Sequence, residues 1–195
     1  MSLKDFFQGP ILLLDAEFTC WENSLISNWN NPKFPAEMIE IGMIAYDPVK
    51  QVEISSYTSL VRPQVNPILS TYCLNTVPIT QAEVDSAPDF DAVVAKISAW
   101  LSDNTLPDSP TASWGRIDRE HTKNQAIRNG VVDPFSTRPH IQVDELVKTS
   151  LGINKQIERE DVRKILGIQT ISGRHRALAD SADLIAFDHA LDNKV

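Results

Sequence analysis

The pattern of apolar positions predicts three strands in the first third of the chain. Residues 11–18 begin as an uninterrupted apolar run, which is typical of a strand covered on both faces, and they end in acidic residues. In residues 37–47 apolar side chains alternate along the chain, which favours a second strand. A third strand is predicted at residues 52–61. The turn residues Asp47 and Pro48 separate the last two, so the three strands are expected to follow one another closely.

Helical spacing predominates afterwards. The clearest helix begins at Phe90, where apolar residues recur on one face as far as Leu101 and Asp89 provides a start signal. Three prolines break residues 66–88 into expected short helical turns and loops. Further helices are predicted at 119–129, 144–151, 159–166 and 175–191, and short strands at 111–114 and 140–143.

This order of elements predicts an α/β fold with a mixed sheet flanked by helices. A chain of 195 residues with 42% hydrophobic content is expected to form a single domain over residues 1–195. The longest apolar run, Ile11 to Leu14, is far too short to cross a bilayer, so no membrane partner is expected. Cys20 and Cys73 lack paired metal-ligand spacing, and reduced thiols in a cytoplasmic protein are the expectation.

The net charge of −8 argues against a broad basic surface for duplex phosphates. A role on nucleic acid would therefore have to be local. Divalent cations held by clustered carboxylates can create such a local positive site on an acidic protein.

Asp15 and Glu17 are the first candidates for that cluster. They lie two positions apart at the end of the first strand, so their side chains share one face. Two adjacent carboxylates repel each other, and a cation between them would keep both ionised. Hard oxygen ligands favour Mg²⁺ or Mn²⁺. The alternative is a pair of solvated acids at a strand end.

Asp180 is a third candidate. In the last predicted helix it shares a face with Ala177, Leu184 and Phe187, so its carboxylate is directed at the core, where it needs a partner or a metal. The alternatives are an ion pair with Arg174 or Arg176, or a place at the edge of that face.

Asp118 and His175 are ambiguous by themselves. Asp118 follows the short Trp114-Gly115 strand end and precedes a helix, where an aspartate is by default an N-cap. His175 opens the last helix, where a lone histidine is more often an ordinary polar terminus.

Together these residues resemble the DEDDh superfamily of 3′-to-5′ exonucleases, most closely its branch of histone-mRNA and small-RNA 3′ exonucleases. The matching segments span nearly the whole chain: Leu14 to Trp21, Phe34 to Gly42, Val61 to Pro63, Asn66 to Ser70, Ala87-Pro88, Trp114-Gly115, and Gly173 to Leu178. The resemblance implies an RNase H-like fold with a central five-stranded sheet.

The resemblance also implies roles. Asp15, Glu17 and Asp180 would bind a first Mg²⁺, Asp15 would also bind a second, and Asp118 would support the second. Mn²⁺ could replace either ion. Two such ions can together activate water and stabilise a leaving oxygen. His175 would be the general base, since an imidazole can accept a proton near neutral pH.

Substrate contacts are less determined. Phe18 and Thr19 match the family's stretch around the 3′-terminal nucleotide, but Phe18 could equally belong to the core. Trp21 and Trp29 could line the groove or simply pack. Glu40 matches a frequent family acid, and we interpret it as a structural hydrogen-bond acceptor.

Two departures bear on the site. Val77-Pro78-Ile79 replaces the family's Thr-Gly-Ile beside the nucleotide pocket, and Asp183 replaces a frequent Asn.

The functional hypothesis is an exonuclease acting on single-stranded 3′ ends, with RNA favoured over DNA as partner and nucleoside 5′-monophosphates as products. Alternatives are a DNA exonuclease, a polymerase-associated proofreading exonuclease, and a catalytically silent binding module.

Overall fold

Strand β1 lies at the centre of the sheet, as expected for an apolar run that needs cover on both faces. The computed structural model describes residues 2–169 and 175–193. Its strands are β1 Ile11–Phe18, β2 Met38–Asp47, β3 Val52–Leu60, β4 Thr111–Ser113 and β5 His140–Gln142. They form a five-stranded sheet in the order β3-β2-β1-β4-β5. Strands β1, β2 and β3 pair antiparallel, whereas β1, β4 and β5 pair parallel, so the sheet is mixed as predicted.

The helices cover both faces of this sheet. They are α1 Ser24–Ser27, α2 Thr71–Thr76, α3 Gln81–Asp85, α4 Phe90–Asn104, α5 Ile117–Asn129, α6 Val143–Leu151, α7 Arg159–Leu166 and α8 Ala177–Asp192. The short helices α2 and α3 begin at the capping side chains of Ser70 and Thr80, which confirms the expected helical turns between Asn66 and Pro88. Within the described ranges, no helix is both long enough and apolar enough to span a bilayer.

Alternation along β1 divides the core into two layers. Leu12, Leu14 and Phe18 are buried with apolar residues of α4. Ile11 and Leu13 point to the opposite face, where they are buried with apolar residues of α6, α7 and α8. Because strand side chains alternate with period two, Asp15 and Glu17 continue the face of Leu13 and lie on the α8 side of the sheet.

Two helix boundaries differ from the sequence prediction. Helix α8 begins at Ala177, not at His175, because His175 has a φ of 59° and this left-handed conformation cannot continue a right-handed helix. Helix α5 begins at Ile117, so Asp118 lies inside its first turn and the residue at the N-cap is Arg116. Gly173 and Arg174, which belong to the family-like segment, lie outside the described residues.

Candidate active site

A glycine in β2 brings α8 against the sheet. Gly42 is the register partner of Asp15, and a Cβ added to Gly42 would lie 2.1 Å from the backbone nitrogen of Leu178. The hydroxyl of Ser181 donates a hydrogen bond of 2.9 Å to the Gly42 carbonyl. Because the backbone of α8 can approach only a residue without a side chain, Gly42 fixes the distance between Asp180 and the acids of β1.

Glu40 holds the start of the same helix. Its carboxylate accepts a hydrogen bond of 2.9 Å from the backbone nitrogen of Ala177, the first residue of α8. It also accepts from the Arg176 guanidinium, at 3.0 Å from Nε and 2.7 Å from Nη2. A negative group at a helix N-terminus satisfies free backbone donors. Glu40 therefore acts as a structural acceptor, as interpreted from the sequence, and it occupies Arg176, which is consequently not the partner of Asp180.

Asp118 joins α5 to the central strand. Its Oδ1 accepts a hydrogen bond of 3.1 Å from the backbone nitrogen of Ala16, which lies between Asp15 and Glu17. The pairing of β1 with β4 extends only to Leu13 and Ala112, so Ala16 needs an acceptor from another element on that side. Asp118 and Asp15 are both buried and belong to the same group of carboxylates.

An arginine lies among these carboxylates. Arg159, the first residue of α7, places Nη2 at 2.5 Å from Oδ1 of Asp15. Its Nη1 donates to the carbonyl oxygen of Asp180 at 3.2 Å and lies 3.8 Å from Oδ1 of the same residue. The guanidinium carbon is 5.7 Å from the centre of the Trp114 ring. The buried acids are thus partly neutralised by a side chain of the protein itself.

Glu17, His175 and Asp180 form a second group beside this ion pair. Each offers one ligand atom, and the three atoms lie within 4.8 Å of one another. The backbone nitrogen of His175 donates to Oδ2 of Asp180 at 3.2 Å, and the His175 side chain is exposed. Two carboxylates and an imidazole at this spacing could together hold a divalent cation.

The electrostatics of the site also favour a cation. Burial, together with the negative charges of Asp15, Asp180 and Asp118, raises the pKa of Glu17 to about 9. Burial raises the pKa of Asp15 to about 8, although the Arg159 guanidinium opposes this increase. Burial likewise raises the pKa of Asp118. A divalent ion would return these acids to their ionised forms, so the residues present fit such an ion.

The five predicted residues border one cleft of about 1010 Å³. The structure thus brings together all five: Asp15, Glu17, Asp118, His175 and Asp180. They come from β1, from α5, and from α8 with the turn before it. Their side chains supply carboxylates that can bind metal and one exposed imidazole that can accept a proton. These are the groups needed to hydrolyse a phosphodiester.

The two predicted substrate contacts lie elsewhere. Phe18 is buried on the α4 face of the sheet, with its ring 5.2 Å from the His121 ring in an edge contact. The hydroxyl of Thr19 is used within the protein, where it accepts from the backbone nitrogen of Glu37 at 3.1 Å. The core alternative thus describes Phe18 in this structure, and contact of either side chain with a nucleotide stays a prediction.

The two tryptophans considered for the groove also pack within the protein. The indole nitrogen of Trp29 donates to the Thr19 carbonyl at 2.7 Å, and its ring lies 4.8 Å from that of His121. Trp21 packs on Phe34 with 4.8 Å between ring centroids. Both contacts match the packing interpretation.

The two departures from the family pattern have structural partners. Asp183 is buried on α8 and pairs with Arg163 of α7. In the segment between α2 and α3, Val77 and Ile79 are buried with Cys73, while Pro78 is exposed. The negative charge of Asp183 is therefore paired with the positive charge of Arg163.

Sequence reasoning missed two residues of the site, Arg159 and Gly42. A basic residue in the first turn of a helix interacts unfavourably with the helix dipole. The position of Arg159 at the start of α7 was therefore a weak indication that its side chain pairs with acids outside that helix. A glycine within a strand often marks a close backbone approach, which was the available signal for Gly42.

Comparison with known proteins gives a consistent picture. Residues 12–187 match the RNase T exonuclease family model. The chain is 34% identical over 91 residues to ERI1 exoribonuclease 2 of Danio rerio, which covers 47% of this chain and 15% of that protein. It is 32% identical over 101 residues to human 3′-5′ exoribonuclease 1, covering 51% of this chain and 27% of the human protein. The chain therefore aligns with less than a third of either relative.

A solved structure extends the likeness to the whole fold. The nuclease domain of 3′hExo, described as a DEDDh family member bound to rAMP, superimposes with a TM-score of 0.85 at 22% identity. The match covers 96% of this chain and 94% of that domain. This confirms the predicted RNase H-like fold.

Proposed function

We propose, from the premise that this chain belongs to the RNase T exonuclease family, that it is a divalent-metal-dependent 3′-to-5′ exonuclease acting on single-stranded RNA. The observation that carries this proposal is the convergence of four carboxylates and the exposed His175 imidazole on one cleft. These side chains come from three separate parts of the chain, so their meeting is a property of the fold. The names of two relatives, both exoribonucleases, support RNA as the substrate, with single-stranded DNA as the alternative.

The proposed cation is Mg²⁺, with Mn²⁺ as a substitute, because the proposed ligands are carboxylate oxygens. Glu17 and Asp180 would hold it, with Asp15 and Asp118 adding negative charge nearby. When bound, it would acidify water and offset charge on the phosphate. The expectation of two ions depends on the space around Asp15, which Arg159 partly fills.

The residues of this chain support hydrolysis at the last phosphodiester of a strand. His175 would accept a proton from water while the water oxygen bonds to phosphorus. The bond between phosphorus and the 3′ oxygen of the preceding nucleotide breaks, and that oxygen takes a proton from solvent. The products are a nucleoside 5′-monophosphate and a strand shortened by one nucleotide that again ends in a 3′ hydroxyl. The exposure of His175 allows it to return its proton to solvent.

Single strands are the proposed form of the substrate. A net charge of −8 leaves the protein without the surplus of basic residues that broad duplex binding uses. Positive charge is instead available locally, from the cation and from Arg159. This arrangement suits one phosphodiester near a strand end.

The test uses 5′-labelled RNA and DNA oligonucleotides of matched sequence, incubated with the protein and Mg²⁺, Mn²⁺ or EDTA. The proposal expects a ladder of products shortened one nucleotide at a time, faster on RNA, and no products in EDTA. A circular single strand should resist cleavage because it has no 3′ end. Cleavage of circular and linear strands at similar rates would show an endonuclease, and faster degradation of DNA would favour the alternative substrate.

A further inference from the structure

Arg159 lies among the carboxylates of the cleft and contacts Asp15 directly. Its guanidinium lies 2.5 Å from Oδ1 of Asp15 and reaches Asp180 with its other terminal nitrogen. Asp118 contributes to the same electrostatic environment. The group that faces Asp15 is thus a permanent positive charge supplied by α7, since a guanidinium stays protonated at all ordinary pH values.

The remaining metal-ligating atoms form one group. Glu17, His175 and Asp180 place their ligand atoms within 4.8 Å of one another, and among the described residues this is the group of candidate ligands that could hold an ion. Asp15 is outside that group. The Oδ1 atom of Asp15 already accepts a hydrogen bond from Arg159.

We infer that Arg159 takes the place of one of the two divalent ions, so that this protein works with a single ion and a guanidinium. The inference rests on the proposed exonuclease function and deepens it. The ion would bind at Glu17 and Asp180, and the guanidinium would pair with Asp15 and partly offset the charge of nearby Asp118. Arg159 borders the cleft, so its charge would also face the phosphate of a bound strand.

Charge supports this assignment. Four ionised carboxylates carry four negative charges, of which one divalent ion and one guanidinium would neutralise three. A second divalent ion beside Arg159 would leave the cluster positive and would place two cations against the same oxygen of Asp15. Like charges in a site of low dielectric repel strongly, so the second ion is disfavoured while Arg159 remains in place.

A purely structural role is better filled by another residue of the same helix. Arg163, one turn after Arg159, pairs with Asp183 of α8, and the two side chains are only 4% and 1% exposed. That pair already ties α7 to α8. Arg159 is 18% exposed and borders the cleft. Holding α7 against α8 does not require a positive side chain such as Arg159 among the metal-binding acids.

The test is the number of Mn²⁺ ions bound per chain, measured by calorimetric titration and by the electron paramagnetic resonance of free Mn²⁺. The wild-type protein should bind one ion. Arg159→Ala should bind two, with the second at least about tenfold tighter than any second ion in the wild type. Arg159→Lys keeps the charge and should still bind one. Two ions of similar affinity in the wild type would overturn the inference.

Arg138→Ala is the matched control. Arg138 donates to Leu106 and Ser109, which precede β4, and so lies at the end of the sheet opposite the carboxylates. The Arg138→Ala variant should bind one Mn²⁺ ion per chain, like the wild type. If Arg159→Ala does not fold, the wild-type and Arg159→Lys counts still decide the question.

Failure of this inference can be separated from failure of the proposed function. Two bound ions together with stepwise RNA shortening would leave the exonuclease proposal intact and remove the role of Arg159. One bound ion without any nuclease activity would contradict the exonuclease proposal. In the supporting case, Arg159→Ala should lose about 10²-fold in rate at low Mn²⁺, as expected for removal of one fixed positive group, and should recover part of it at high Mn²⁺.

Discussion

Gly42 and Leu178 are in such close contact that the backbone of α8 occupies the space of a Gly42 side chain. A Cβ on Gly42 would lie 2.1 Å from the Leu178 nitrogen and 2.3 Å from the carbonyl carbon of Ala177. Both obstacles are backbone atoms, which cannot rotate away. The position of Asp180, two residues further along α8, therefore depends on the absence of a methyl group in β2.

Gly42→Ala should displace the first turn of α8. We expect the free energy of unfolding to fall by about 1–3 kcal/mol, as for other overpacked cores, and the melting temperature to fall by about 2–4 °C for each kcal/mol. Mn²⁺ affinity should fall as well, because Asp180 moves away from Glu17. Gly9→Ala is the control, since a Cβ at Gly9 meets nothing within 4 Å. Equal stability of the two variants would show that α8 adapts freely.

Glu17→Gln should abolish exonuclease activity and leave the protein folded. The substitution removes a ligand charge while keeping nearly the same volume. The measurement is the oligonucleotide ladder with saturating Mg²⁺, alongside far-ultraviolet circular dichroism. Glu53→Gln, an exposed change on β3, should behave like the wild type. Near-normal turnover by Glu17→Gln would remove Glu17 from the metal site.

Without metal, the stability of the protein should fall as pH rises from about 5 to 9. The folded-state pKa values of Asp15 and Glu17, about 8 and about 9, lie above the unfolded values of about 4. The folded state therefore binds more protons than the unfolded state in this window, and its advantage disappears as pH rises through the folded pKa.

Thermal unfolding in EDTA across this pH range tests that expectation. Glu17→Gln lacks one of the two protons, so its stability should fall less steeply than that of the wild type and should be equal or higher at pH 9. Mg²⁺ should flatten the wild-type profile, because a cation keeps the acids ionised. Parallel profiles for wild type and variant in EDTA would contradict the assigned pKa of Glu17.

His175→Ala should lower the rate by about 10²- to 10⁴-fold, the usual loss for a general base. Mn²⁺ and oligonucleotide should still bind if His175 is the base and not a metal ligand. Loss of Mn²⁺ binding would instead make His175 a ligand, which its distance from Glu17 and Asp180 allows.

His175→Asn separates catalysis from backbone conformation. His175 is in the left-handed region with φ at 59°, and asparagine tolerates that region better than alanine does. An Asn variant with wild-type turnover would show that the histidine serves only the turn before α8.

The sequence by itself determined the features that depend on periodicity within one element. Alternation along β1 predicted that Asp15 and Glu17 share a face, and helical spacing placed Asp180 beside Leu184 and Phe187. The same alternation directs Phe18 to the opposite face, but the sequence left open whether Phe18 contacts substrate or belongs to the core, and its packing against His121 comes from the tertiary structure. These conclusions hold because a strand or helix fixes side-chain direction locally, whatever it later packs against.

Only the tertiary structure decided which charged groups meet. Arg159 pairs with Asp15, 144 positions away along the chain, because α7 packs beside β1 and α8. Gly42 matters because of one close contact with α8, and Glu40 because Arg176 and Ala177 lie above it. Such contacts depend on how complete elements pack together, and a local pattern carries no information about a partner in another element.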